Sequence, residues 1–239
     1  MYAIWGGSPI SFTADAKTKI KISVSHVDGY ITPNAVEFKT AIGIDEDITF
    51  TYVPAPLGVY ICDTDNKLTL PDKWNSSNNY KAVGVYIGTE NSQFVIAPTS
   101  SKTHDIVWGY SDKTISGIVT STDSAVAKKD YAGKTNTDKI IAQLGESNAP
   151  AAQYCREYTF KNGKKGYLWS FGEAQDALNN KEAIDAALIK IGGSDLPEEE
   201  DHWTSTQYNN YRVWRMNWYT GDYFSNKDGK AYVRAVCTI

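Results

Sequence analysis

The sequence predicts an α+β fold preceded by a small β-rich module, on three observations. Residues 1–54 carry strand patterns without helical periodicity, whereas helical patterns are confined to residues 137–191. The chain therefore runs from strands to helices and back to strands, an order typical of α+β domains. The Pro-Ala-Pro segment at residues 54–56 is stiff and predicts a boundary, with a second domain over residues 57–239.

Strand signals fill the first module. Residues 19–25 alternate apolar and polar side chains, and residues 36–39 and 48–53 contain the Val, Ile, Thr and Tyr that strands favour. Turn signals separate these runs, Asp-Gly at residues 28–29 and Thr-Pro-Asn at residues 32–34. We therefore expect residues before the boundary to form a strand–turn–strand module.

The second domain opens with short strands. Two of them flank a turn signal at residues 89–91 and predict a β-hairpin. The expected strands are residues 58–62, 67–70, 82–87, 93–97 and 115–120.

Two helices follow, each with a recognisable start. Thr137 is the expected N-cap of the first, and Gly145 is the expected stop. Pro150 is well suited to the first position of the second helix, which we expect over residues 151–158.

A capping box begins the third helical region. Ser170 and Glu173 have the S-x-x-E spacing in which the serine and the glutamate each cap a backbone N–H of the other. Helical periodicity resumes over residues 182–191 and ends at a Gly-Gly pair. The acidic run at residues 198–201 is interpreted as a solvated loop rather than a metal site.

The C-terminal stretch, residues 202–239, holds the sharpest pattern of the chain. Its centre alternates strictly, which on a strand places alternate side chains on opposite faces. We expect one face to be buried and the other to form a polar binding surface. The buried face would hold Trp214, Met216 and Trp218, and the exposed face Val213, Arg215, Asn217 and Tyr219.

Composition excludes several classes of function. With 24 Lys and Arg against 28 Asp and Glu, the net charge is −4, so no basic surplus favours nucleic acid. No apolar run approaches the ~20 residues that a membrane-spanning helix needs. The first twelve residues lack a charged segment followed by an apolar one, so no signal peptide is predicted.

Motifs for catalysis and metal binding are lacking as well. The sequence has no C-x-x-C, H-x-x-x-H, G-x-S-x-G or phosphate-binding loop. Neither Cys155 nor Cys237 has a His or Asn partner in a recognisable nucleophile motif. The sequence therefore predicts a protein that is not an enzyme and that uses no metal and no cofactor.

Three segments carry a resemblance to a known family. They are LWSFGE at residues 168–173, HWTSTQ at residues 202–207 and YVRAVC at residues 232–237. With Trp214, Trp218 and Gly221, they resemble the helix start, strand and ending of bacterial C-type-lectin-fold domains. Residues 57–239 resemble most the variable proteins of diversity-generating retroelements in gut Bacteroidales and their phages. Residues 1–54 resemble a generic immunoglobulin-like module.

The resemblance implies a C-type-lectin-like fold with a variable region at about residues 202–239. In that family, error-prone reverse transcription at template adenines rewrites this segment, and the Asn codons AAC and AAT are the favoured targets. Codons for Trp, Met, Lys, Gln and Glu cannot arise from them by adenine substitution. Seven residues of this segment cannot derive from these codons and would be fixed scaffold: Trp203, Gln207, Trp214, Met216, Trp218, Lys227 and Lys230. The scaffold of the binding site itself would be Trp203, Trp214, Met216, Trp218 and Gly221.

The residues that can derive from these Asn codons form the expected ligand-binding face. They are Tyr208, Asn209, Asn210, Tyr211, Arg212, Arg215, Asn217, Tyr219, Thr220, Asp222, Tyr223, Ser225, Asn226, Asp228, Gly229 and Ala231. Tyr, Asn, Ser and Arg are also the residues that give antibody binding sites their contact area and adaptable hydrogen bonds.

The resemblance further implies a ligand-binding protein on a phage tail or bacterial surface. Its partner would be a protein or glycan on a host or neighbouring cell, and oligomerisation stays open. The calcium-binding triplets EPN and WND are absent, which disfavours calcium-dependent sugar binding.

Two alternatives remain at this stage. One is an oxidase of the formylglycine-generating type, with Cys155 and Cys237 as its redox pair. The other is a purely structural domain of a fibre or adhesin. The same two cysteines fit equally well the disulfide of animal C-type lectins or two buried thiols.

Overall fold

The computed structural model describes residues 19–24, 27, 30–31, 33, 35–39, 48, 50, 52–110 and 112–239. The chain divides into two compact units, one ending at Pro56 and the other spanning Leu57–Thr238. Within the described ranges, no helix combines the length and the apolar character needed to cross a membrane.

The first unit contains two small antiparallel sheets. Strand β1 (Lys19–Ile22) pairs with β3 (Val36–Lys39), and β2 (Tyr30–Ile31) pairs with β4 (Val53–Pro54). The strands predicted near residues 19–25 and 36–39 are thus present. Of the predicted strand at residues 48–53, only Val53 lies in a described strand. Residues 49 and 51, and the turn at residues 28–29, lie outside the described residues.

The second unit is a mixed α+β structure, as the sequence predicts. A six-stranded antiparallel sheet has the order β10-β15-β8-β7-β5-β6, and a three-stranded sheet has the order β11-β12-β13. Strands β14 and β9 form a separate pair. The strands are β5 (Gly58–Asp63), β6 (Leu68–Thr69), β7 (Ala82–Gly88), β8 (Gln93–Ile96), β9 (Ile106–Val107), β10 (Tyr167–Leu168), β11 (Asp201–Gln207), β12 (Arg212–Asn217), β13 (Gly221–Asn226), β14 (Lys230–Ala231) and β15 (Ala235–Cys237).

The helices lie between β9 and β11 in the chain. They are α1 (Ser124–Ala127), α2 (Gly133–Leu144), α3 (Pro150–Glu157), α4 (Phe171–Asn179) and α5 (Lys181–Lys190). Short 3-10 turns occupy Pro71–Lys73, Ser76–Lys81 and Glu146–Asn148. The β7–β8 hairpin, the Pro150 start and the Ser170–Glu173 capping box are confirmed.

Two local predictions are wrong, because in both places a side chain forms hydrogen bonds with a distant part of the chain. Helix α2 begins at Gly133, so Thr137 lies inside it. The Thr137 hydroxyl donates to the Gly133 carbonyl (2.8 Å) and accepts from the Leu168 N–H (2.9 Å), which ties α2 to β10 instead of capping a helix. Residues 115–120 contain a turn at residues 116–117 and a single parallel bridge from Thr120 to Gln207, but no strand. The amide of Gln207 there bonds the N–H and carbonyl of Ile115, where a neighbouring strand would have paired.

Candidate ligand-binding face

The three-stranded sheet positions the predicted binding residues. Strand β12 lies at its centre, and the register places Trp203, Arg215 and Tyr223 side by side on one face. The hairpin between β12 and β13 turns through Gly221, whose φ of +81° is left-handed and favours glycine. Strand β13 is at the edge of the described sheet and carries exposed side chains along most of its length.

Both faces of β12 are covered, which corrects the predicted exposed face. Val213 is fully buried, and Arg215 is only 7% exposed. The Arg215 guanidinium lies 3.9 Å from the Trp203 ring centroid, and its Nη1 is 3.7 Å from the Asp201 carboxylate. Alternation identifies which residues share a face, but a central strand is covered on both faces when other elements pack there.

Three Trp residues and one Met form a buried frame within the three-stranded sheet and its turn, defined as Trp203, Trp214, Met216 and Trp218. All four are buried, as the alternation predicts for Trp214, Met216 and Trp218. Trp214 stacks on Phe171 at the start of α4, with 4.9 Å between ring centroids. The indole N–H of Trp214 donates to the Ser121 carbonyl (2.9 Å) and that of Trp203 to the Ile106 carbonyl (2.7 Å). Each indole is therefore fixed by packing and by a hydrogen bond.

Lys227, which Asn codons cannot yield and which was therefore expected to be fixed, is a second element of support, although its contacts could not be predicted from the sequence. Its side chain is buried, and its ammonium donates to the carbonyls of Lys113 (2.6 Å) and Asn210 (2.7 Å) and to Gln207 Oε1 (3.0 Å). Burial lowers the pKa of Lys227 to about 8. Because three oxygens accept its three protons, the ammonium fixes the turn before β12 to two other segments.

Exposed aromatic side chains concentrate on this sheet and its turns. Four of them have exposed fractions between 37% and 76%: Tyr211, Tyr219, Tyr223 and Phe224. Phe224 stacks on Tyr208 with 4.1 Å between ring centroids, and the Arg212 guanidinium lies over the rings of both Phe224 and Tyr211. Phe224 is missing from the predicted binding set. Since Phe codons also derive from AAC and AAT, Phe224 meets the same codon criterion as the predicted residues.

The remaining predicted residues divide by exposure. Asn210, Thr220, Asp222, Asn226 and Asp228 are exposed, whereas Tyr208, Asn209, Arg212, Asn217, Ser225 and Gly229 are partly buried. Asn217 is committed to structure, because its Oδ1 accepts from the N–H groups of Tyr219 (3.1 Å) and Thr220 (2.7 Å).

Ala231 joins Arg215 as a predicted surface residue that is buried. It pairs with Ile106 in the β14–β9 ladder, which covers its short side chain. The expectation that these two residues are exposed is therefore wrong.

A cleft of about 400 Å³ opens beside the exposed aromatic residues. It is lined by Gly109, Tyr110, Asp112, Tyr211, Asn226, Lys227 and Asp228. Three of these belong to the predicted binding set, whereas the residues from the loop after β9 were missed. That loop lies about a hundred positions earlier in the sequence, and no local pattern marks it.

The three cysteines lie on β5, α3 and β15, outside the three-stranded sheet. Cys62, Cys155 and Cys237 are free, buried thiols, and burial raises the pKa of each, to about 12 for Cys62. A thiol held protonated in this way is a poor nucleophile. In the part of the chain that the structure describes, no group of three or more His, Cys, Asp or Glu residues could hold a metal ion.

Comparisons with known proteins add a likeness of fold. Neither a protein-family description nor a curated protein matches this chain. Among solved structures, the chain is similar to a fimbrial protein from Bacteroides ovatus, with a TM-score of 0.58 and 11% sequence identity. The match covers 86% of this chain and 55% of the fimbrial protein, so this chain corresponds to about half of that protein's length. At this identity, the similarity concerns the fold alone.

Proposed function

We propose that this chain is a non-enzymatic binding protein that presents the exposed side of β13 and its adjoining turns to a protein or glycan on another cell. The observation that carries this proposal is that four aromatic side chains are exposed on β13 and on the turns at either end of β12, and these four are called the patch: Tyr211, Tyr219, Tyr223 and Phe224. Exposed aromatic residues clustered on a monomer are typical of interaction sites, and Tyr in particular gives a large contact area at low entropic cost.

The support beneath the patch favours binding over incidental exposure. Trp214 and Trp218 are buried and hydrogen-bonded, and Lys227 fixes the turn that carries Tyr211. A surface held in one conformation before it meets its ligand loses less conformational entropy on binding. Rigid support and exposed aromatic side chains are together what a receptor-binding surface requires.

We further propose a C-type-lectin-like fold for the second unit and display on a bacterial surface or phage tail. The sequence resemblance and the likeness to a Bacteroides fimbrial protein support this placement. Diversification by a retroelement is consistent with the exposed positions, since Tyr219, Tyr223 and Asp228 are all derivable from Asn codons and Trp214 is not. Sibling genes that vary as much at Trp214 as at Asn217 would contradict it.

The neighbouring DNA tests diversification directly. We expect a near-repeat of the last coding segment, differing from it at adenines, beside a gene for a reverse transcriptase. If the locus has neither the repeat nor that gene, the diversification proposal is wrong, whereas the proposed binding function is unaffected.

A structural role in a fibre is the second candidate, because a fimbrial protein shares the fold over 86% of this chain. It makes a different prediction, since substitutions on the exposed patch would leave attachment unchanged. The oxidase alternative has less support: its proposed pair, Cys155 and Cys237, consists of buried free thiols whose pKa is raised by burial.

Binding to intact cells separates the two candidates. The full chain, coupled to fluorescent beads, is incubated with a panel of gut bacteria and with a glycan array, and bound beads are counted by flow cytometry. We expect Tyr219→Ser with Tyr223→Ser to reduce binding about tenfold, equivalent to ~1.4 kcal/mol. The matched control is Tyr80→Ser, which removes a side chain that is 69% exposed and lies outside the patch. Equal binding by the double variant and the control favours the structural role.

A further inference from the structure

Two parts of the chain line the cleft beside the patch, residues 109–112 and residues 211–228, and Lys227 forms hydrogen bonds with both. Lys227 accepts backbone hydrogen bonds from Trp108 (3.0 Å) and Gly109 (3.2 Å), and its own N–H donates to the Tyr211 carbonyl (3.0 Å). The Tyr110 N–H is fixed to the Asn148 carbonyl (3.0 Å). These bonds hold the walls of the cleft in place before any ligand arrives.

Space at Gly109 is also limited. A side chain there would approach the Asn148 carbonyl oxygen to 2.9 Å, so the close contact requires glycine. The walls therefore belong to the folded architecture and not to a loosely attached loop.

The chemistry of the cleft is that of a receptor for a cation. The Asp112 and Asp228 side chains are exposed, and neither carboxylate forms a hydrogen bond or a close ion pair with a described residue, although the Lys227 ammonium attracts Asp112 without a close contact. Tyr110, which is 62% exposed, and Tyr211 add two aromatic rings. The lining cation, Lys227, already donates to three protein oxygens and is buried. A cation near such carboxylates and aromatic faces gains charge-assisted hydrogen bonds and cation–π attraction.

We propose, on the basis of the binding function above, that this cleft receives an arginine or lysine side chain of a protein ligand. Guanidinium has five donors and no acceptor, which complements two acceptor-only carboxylates. A neutral sugar gains no attraction between full charges from the two carboxylates, and an anion is repelled by them. Tyr110 and Asp112 lie outside residues 202–239, whereas Tyr211 and Asp228 lie inside. With the proposed variation of residues 202–239, Tyr110 and Asp112 stay the same. Changes at Tyr211 and Asp228 then alter which basic residue binds.

Amide chemical shifts of the isotope-labelled full chain, titrated with N-acetyl-arginine amide, test this proposal. We expect shifts at Gly109 and Tyr110, and none with the neutral isostere N-acetyl-citrulline amide. Replacing Asp112→Asn together with Asp228→Asn should weaken the dissociation constant about tenfold. The matched control, Asp72→Asn, removes an exposed carboxylate that lies outside the predicted binding face and does not line the cleft, and it should leave the titration unchanged.

Equal shifts with citrulline, shifts with methyl glycosides in place of arginine, or an unaffected double carboxamide variant would overturn the proposal. Absence of any arginine-dependent shift would do the same. Retained folding of the variants is checked by their unchanged melting temperature, which we expect because both carboxylates are exposed. The cell-binding experiment uses Tyr219 and Tyr223, which do not line the cleft. If N-acetyl-arginine amide does not bind the cleft while the double tyrosine variant still reduces cell binding, the cleft proposal is wrong and the proposed binding function stands.

Discussion

The indole N–H of Trp218 donates a hydrogen bond of 2.7 Å to Nδ1 of His202. Since the indole nitrogen can only donate, His202 Nδ1 must carry a lone pair, and the neutral ring keeps its proton on Nε2, which lies 2.7 Å from the Ser100 hydroxyl. Protonating Nδ1 would set two donors against each other directly beneath the turn that carries Tyr219. Folding of the candidate binding face is thus coupled to the neutral state of one histidine.

The first prediction is a loss of stability at mildly acidic pH. Burial, and secondarily the Arg234 cation, hold the pKa of His202 well below its usual 6.5. As pH falls below about 6.5, the unfolded chain takes up a proton that the folded chain refuses, so the free energy of unfolding falls by up to ~1.4 kcal/mol per pH unit. Urea unfolding between pH 7 and 5 measures this slope. His202→Gln keeps an acceptor and a donor without titrating, and an unchanged slope in that variant would contradict the assignment.

The second prediction concerns Glu173 and has the opposite sign. Burial raises the pKa of Glu173 to about 7, against the lowering effect of its hydrogen bonds from Ser170 and Tyr167. Between about pH 4.5 and 7, the folded chain holds a proton that the unfolded chain has lost, so this group makes stability fall as pH rises across that window. The full effect is on the order of 3 kcal/mol.

Glu173→Gln isolates this contribution, because glutamine retains the size and the acceptor of the capping box but does not titrate. We expect the variant to gain stability relative to the parent as pH rises from 4.5 to 7, as measured by urea unfolding at each pH. A constant difference across the window would show that Glu173 titrates normally. The His202 effect overlaps between pH 6.5 and 5, so each variant is compared with the parent and not with the other.

The third prediction is that the buried ammonium of Lys227 stabilises the face. Lys227→Met removes the ammonium and leaves Asn210 O, Lys113 O and Gln207 Oε1 without their donor. Buried acceptors that lose a charged donor cost ~3 kcal/mol in the free energy of unfolding. Thermal and urea unfolding measure this loss, and hydrogen exchange at Tyr211 should speed up.

Lys230→Met is the matched control for Lys227. Lys230 pairs with Asp105 at 3.0 Å, but both side chains are more than half exposed. Surface ion pairs of this kind contribute ~0–1 kcal/mol. Comparable destabilisation by the two variants would mean that the hydrogen bonds of Lys227 do not hold the turn.

A structural feature could be predicted from the sequence alone when the residues that determine it are close together in the chain. The Ser170–Glu173 capping box and the β7–β8 hairpin were predictable because the residues that determine each of them are close together in the sequence. Arg215 shows the limit of alternation, which assigns a face but not what covers it. Its cover comes from Trp203 on the neighbouring strand.

The candidate site has the same limit. Tyr211 and Asp228 could be selected from composition and codon chemistry, whereas Tyr110 and Asp112 approach them only through the fold. Lys227 was recognisable as a residue outside the Asn-codon set, but its three acceptors come from widely separated positions. Long-range contacts of this kind leave no pattern along the chain.

The last prediction is that positions 215 and 229 are coupled, although both were expected to vary freely. A methyl group at Gly229 would lie 2.9 Å from Arg215 Nη2, 2.9 Å from the Ser225 hydroxyl and 3.0 Å from the Asn226 carbonyl oxygen. Because Arg215 is buried against Trp203, it has little room to move. Gly229→Ala should therefore destabilise the chain by ~1–3 kcal/mol, the usual cost of overpacking.

A double-mutant cycle decides whether Arg215 causes that cost. Arg215→Ala alone removes the cation over Trp203, and in its background Gly229→Ala should lose at least half of its destabilising effect, as measured by urea unfolding. Strict additivity would place the clash with Ser225 and Asn226 instead. If the coupling holds, an arginine at position 215 restricts position 229 to glycine, and any diversification of this face samples fewer combinations than its independent codons permit.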